Sequence, residues 1–94
     1  MGLTLHYLSN ALEDLRSLHN YLSQNDSGQA SLVMDCLRQQ HLQLAEGGVV
    51  GKPSHLPNLL ELPCQSHPYM TIYRSRDETV EILAVVHVTR QWPN

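Results

Sequence analysis

The spacing of apolar residues along this chain changes twice, and each change marks a new kind of element. Leu3-Thr4-Leu5-His6-Tyr7 alternates apolar and polar, the period of a short half-buried strand. Ala11, Leu12, Leu15, Leu18 and Leu22 then recur at threes and fours, which predicts an amphipathic helix over residues 10–24. Glu13, Asp14, Arg16, Ser17 and Asn20 fall on its other side, and the Asp14–Arg16 stretch is expected to be a solvated face. Ser9 or Asn10 is the expected cap, Asn10 forming a capping box with Glu13 three residues on. Asn25-Asp26-Ser27-Gly28 is a turn signal that offers a second N-cap. Ala30, Val33, Met34, Leu37, His41 and Leu44 repeat at helical spacing until Gly47-Gly48, where a glycine suits the left-handed end of a helix. So short a turn between two apolar-striped helices implies an antiparallel hairpin.

Residues 47–58 hold Gly51, Pro53 and Pro57 and are expected to be an irregular loop. Beyond them the period falls to two. Leu59–Leu62 predicts a strand stopped by Pro63, Tyr69–Arg74 a second, and Val80–Val88 a third and longest. Ser75–Glu78 is the tight turn between the last two. Connections this short force antiparallel neighbours. The predicted order is β-α-α-β-β-β in one domain, residues 1–94. It is an α+β fold of two layers, with the helical hairpin burying its stripe on an antiparallel sheet.

Composition fits that picture. Apolar residues make up 41% of 94, enough for one modest core. With no Phe, that core must rest on Leu, Val and Ile. The formal charge of −3 lies entirely in residues 1–51, while residues 52–94 are balanced. Cations are therefore scarce for neutralising phosphates, which argues against avid sequence-independent nucleic-acid binding. Cys36 and Cys64, in a chain without a secretion signal, point to free thiols in a reducing, cytoplasmic setting. Cys36 sits in the apolar helical pattern and is expected to be a small core residue. No run is apolar and long enough to span a membrane.

Several stretches together resemble the RelE/ParE toxin superfamily, above all its ParE branch. Ala11-Leu12-Glu13-Asp14-Leu15 with Tyr21-Leu22 is similar to the family's first helix, and Asn25 to Ala30 to the break before its second. Leu59–Leu62 and Tyr69–Arg74 look like its strand pair ending in Y-R. Val80–Trp92 looks like its last strand with the closing H-x-x-R-x-W. The resemblance implies a toxin of a type II toxin–antitoxin system, of the plasmid-stabilisation kind. It would be held by a cognate antitoxin and open to higher-order toxin–antitoxin assembly. ParE-branch relatives are associated with poisoning DNA gyrase, RelE-branch relatives with cutting messenger RNA on the ribosome. The chain departs from the pattern in its acidic balance and its short end at Asn94.

The residues bear on the choice. RNA cleavage needs a proton-transfer group and cations for the phosphate. His87, Arg90 and Arg74 are the nuclease candidates, with Arg76 beside them, but Lys52 is the only lysine. His87 otherwise makes a structural strand-end residue. Arg74, Arg76, His87, Arg90 and Trp92 are the candidate partner contacts, Arg and Trp being the types that dominate binding hot spots. The other reading of Arg74 is a packed strand-end residue, and of Trp92 a side chain folded back to cap the core edge. The six His and two Cys show no close metal-ligand pairing, and no phosphate-binding Gly motif is present, so neither metal nor cofactor is expected. The expectation is therefore a gyrase-directed, surface-acting toxin rather than an enzyme. The alternatives are a RelE-like endoribonuclease and a non-toxic scaffold member of the fold. No sequence-specific nucleic-acid contact and no membrane partner are expected.

Overall fold

The computed structural model describes residues 2–90 and 92, so the chain's end at Asn94 lies outside the described residues. Among these residues seven elements follow one another: β1 (Thr4–Tyr7), α1 (Ser9–Asn25), α2 (Ser27–Glu46), β2 (Lys52–Pro53), β3 (Leu60–Pro63), β4 (Tyr69–Arg76) and β5 (Thr79–His87). The strands form one sheet in the order β1-β5-β4-β3-β2, with the helical hairpin on one face.

Several local expectations need correction. The capping box at Asn10 does not form. Leu8 takes the cap position of α1 without a side-chain bond, and the Asn10 amide donates instead to the Leu83 carbonyl, 3.4 Å away. Leu12 is half exposed, because Ala11, Leu15, Leu18 and Leu22 set the buried phase and Leu12 lies a hundred degrees from Ala11. Asp26 alone separates the helices. Its carboxylate accepts from the amides of Gly28 at 3.0 Å and Gln29 at 3.3 Å, which satisfies two of the four free donors at the start of α2. Gly47 closes α2 at φ +80°, a conformation a Cβ makes costly.

The expected loop contains the two-residue strand β2, paired with β3 through Lys52 opposite Glu61 and Pro53 opposite Leu60. Gly51 lies just before it, where a Cβ would come within 2.5 Å of the Glu61 carbonyl oxygen. The phenol of Tyr73 accepts from the Gly51 amide at 2.6 Å and fixes that approach. Arg76 belongs to β4 rather than to a turn, so the hairpin closes on Asp77-Glu78 alone, both at positive φ. β3, β4 and β5 run antiparallel, but β1 pairs parallel to β5, from Thr4 opposite Thr79 to Tyr7 opposite Ile82. The sheet is therefore mixed. Short turns dictate antiparallel pairing only between consecutive strands, and the long excursion separating β1 from β5 leaves their direction free.

Two apolar clusters sit on opposite faces of the sheet. The helix-facing core joins Ala11, Val33 and Leu37 to Tyr73, Val80 and Ile82. On the outer face Ile72, Ala84 and Val86 are covered by Leu59, Met70 and Trp92. Alternation along β4 assigns Met70, Ile72 and Arg74 outward and Thr71 and Tyr73 inward. In β5 the register slips so that Ala84 faces Ile72 and Ile82 faces Tyr73, leaving Leu83 as an extra residue. No helix among the described residues is long and apolar enough to cross a membrane.

Candidate functional site

β1 ends opposite Ile82, so among the described residues β5 from Leu83 onward has no strand on that side. An open edge there would leave its amides unpaired. Asp14 answers one of them. Its carboxylate accepts from the Val85 amide at 3.0 Å, joining α1 to the free edge of β5. Burial pushes the Asp14 carboxyl up from the usual range, while the Val85 amide and the nearby Arg90 charge hold it down. The expectation of a solvated helix face is thus wrong at Asp14. The signal was present in the helical phase, since Asp14 lies three residues after Ala11 and four before Leu18, beside the buried stripe.

Around this contact lies a groove of about 530 Å³ between α1 and the end of β5, lined by Asp14, Tyr21, Tyr69, His87 and Arg90 among others. Tyr21 is exposed in it. His87 stacks edge-on against Tyr69 at 5.5 Å, and its Nδ1 lies 2.7 Å from the Thr89 hydroxyl. That nitrogen also accepts from the Thr89 amide at 3.2 Å, so the ring is held on the helix-facing side.

Arg74 and Arg76 lie elsewhere. On the outer face the Arg74 Nε donates to Glu81, directly across the strand pair, and Arg76 reaches the same carboxylate at 3.7 Å. The Arg74 hydrogen bond, then both guanidinium charges, hold the Glu81 carboxyl below its usual range. Both arginines are exposed enough for water to weaken these pairs. Trp92 packs on the outer cluster at the far end of that face. There it shares a groove of about 320 Å³ with Lys52, His55, Glu61 and Arg90. Of the candidates read from the sequence, the structure pairs Arg74 with Arg76 and sets Arg90 between the two grooves. It separates His87 from Arg74 by the thickness of the sheet.

His41 is a site that sequence reasoning left among the core positions. It is 1% exposed and sits between the Tyr7 hydroxyl, 2.7 Å from Nδ1, and the Thr71 hydroxyl, 2.8 Å from Nε2. Burial drives its pKa down to about 4 and raises that of Tyr7. The ring is therefore a neutral bridge from α2 to β1 and β4. Among the described residues no three His, Cys, Asp or Glu side chains converge as metal ligands.

Comparisons with known proteins agree along most of the chain. A family model described as "ParE toxin of type II toxin-antitoxin system, parDE" matches residues 5–92. The Sinorhizobium fredii protein Y4kP, provisionally named a toxin, is 36% identical over 84 residues, covering 88% of this chain and 85% of that one. Among solved structures, the chromosomal ParDE system of P. aeruginosa superposes with a TM-score of 0.79 at 19% identity, over 90% of this chain and 95% of that chain. The intact E. coli RelBE toxin–antitoxin complex gives 0.70 at 20% identity, over 94% and 99%. Both structural likenesses concern the fold.

Proposed function

This chain belongs to the ParE toxin family of type II toxin–antitoxin systems, and from that premise we propose that it acts by binding DNA gyrase through its surface and is held inactive by a cognate antitoxin. The observation that supports this over RNA cleavage is the separation of His87 from the Arg74–Arg76 pair, which leaves Arg90, near the Asp14 carboxylate, as the one arginine or lysine lining the His87 groove among the described residues. Proton transfer and phosphate neutralisation must meet at one substrate atom. His87 is turned toward α1, whereas Arg74 and Arg76 lie beyond the sheet and share Glu81. The antitoxin is assigned to the groove between α1 and β5, where Tyr21 and Arg90 are exposed. Arg90 and Trp92 are the proposed contacts to the target.

One observation favours a ribonuclease instead: the outer groove brings Lys52, His55 and Arg90 beside Trp92. The purified toxin separates the two readings. It is expected to inhibit gyrase supercoiling and to leave ribosome-bound messenger intact. His87→Ala and His55→Ala should each retain that inhibition. Messenger cleavage lost in His55→Ala, with supercoiling unaffected by the wild type, would overturn the gyrase reading.

A further inference from the structure

Cys36 lies on α2 and Cys64 one residue after β3, so the two thiols come from different layers of the fold. Their sulfurs are 3.7 Å apart, with the Cys36 thiol donating toward Cys64 and the Cys64 thiol donating to the Gln40 side-chain oxygen at 3.3 Å. The two are otherwise unequal. Cys64 is 7% exposed and buried in the helix-facing core. Cys36 opens onto a groove of about 440 Å³ whose walls include Gln39, Gln43, Gln65 and Ser66. Nothing in the toxin reading uses either sulfur.

We propose that Cys36 and Cys64 are a thiol redox pair, which a low-molecular-weight disulfide entering this groove converts to an intramolecular disulfide. The Cys36 thiolate attacks one sulfur of the reagent. A mixed disulfide forms on Cys36, and the first reagent thiol leaves with the Cys36 proton. The Cys64 thiolate then attacks the Cys36 sulfur, its proton passing to the second departing thiol. Two protein thiols lose two electrons and two protons, and the reagent disulfide becomes two thiols. Accessibility sets the order of attack. Burial, with the hydrogen bond and charge of Cys36, pushes the Cys64 thiol up to about 12, so Cys64 is a poor first nucleophile. Once Cys36 is capped, it no longer adds its own thiolate charge to that penalty. A reducing setting keeps both thiols free, and a more oxidising one would lock α2 to the exit of β3.

The folded full-length chain treated with oxidised glutathione gives the test. The expected product is monomeric and two hydrogens lighter. It has a Cys36–Cys64 cross-link in its peptide map and no titratable thiol, and dithiothreitol reverses all three changes. Closing so long a loop should raise Tm by roughly 10 °C. Cys64→Ser should stop at one glutathione on Cys36, and Cys36→Ser should react at least tenfold more slowly. A wild type that keeps both thiols, carries two glutathiones, or dimerises through either cysteine would overturn the proposal. The wild-type product alone decides the matter if a serine variant fails to fold.

Discussion

His41 couples the fold to pH through a single ring. In the folded protein its pKa is about 4, against 6.5 for an unburied imidazole. The unfolded chain therefore binds a proton that the folded one refuses, and the stability His41 allows above pH 6.5 is lost as pH falls toward 4. The full loss is about 3 kcal/mol. Urea midpoints measured from pH 7 to pH 4 should fall accordingly, and His41→Gln should flatten that part of the profile. A wild-type midpoint unchanged between pH 6.5 and 4.5 would contradict this account. Asp14 acts by a different route. Asp14→Ala leaves the Val85 amide without its acceptor, at a cost of about 1–2 kcal/mol in a chemical melt. Asp14→Asn keeps an oxygen in place and should recover most of it, so equal losses in the two variants would point to charge rather than hydrogen bonding.

Turns and caps carry the next level of organisation. Asp77 and Glu78 close the β4–β5 hairpin at φ +53° and +63°, the left-handed values of a two-residue hairpin turn that glycine and asparagine adopt most easily. Glu78→Gly should relieve that conformation and raise stability by about 0.5–1 kcal/mol, seen as a higher Tm with no change in activity. A lower Tm would mean that the Glu78 side chain contributes more than its backbone costs. Helices and meander strands were legible in the sequence because each has a strong period or a strong stop: the Leu stripe of α1, Gly47 after α2, the long apolar run of β5. The β1–β5 pairing was not, because direction between strands far apart in sequence leaves no local signature. β2 was hidden by its two residues, one of them Pro53. The candidate site was legible only as a list of residue types. The bulge at Leu83 and the end of β1 at Tyr7 decide which face each residue occupies, and neither has a marker in the composition.

At the scale of the molecule, β1 has a single neighbour in the sheet among the described residues, and that neighbour is β5. The helix-facing core needs both, since Leu5 and Tyr7 pack against it beside Val80, Ile82 and Val85. A fragment of residues 1–78 lacks β5, and with it the strand on which β1, β4 and α1 all pack. It should show no cooperative thermal transition by circular dichroism, and a sharp transition in that fragment would sink the claim. For the growing polypeptide the arrangement imposes a delay. The strand that β1 pairs with is made only after both helices and three other strands. The sheet therefore cannot close on its first strand while β5 is still to come, and the strand made earliest is the one that waits longest for its partner.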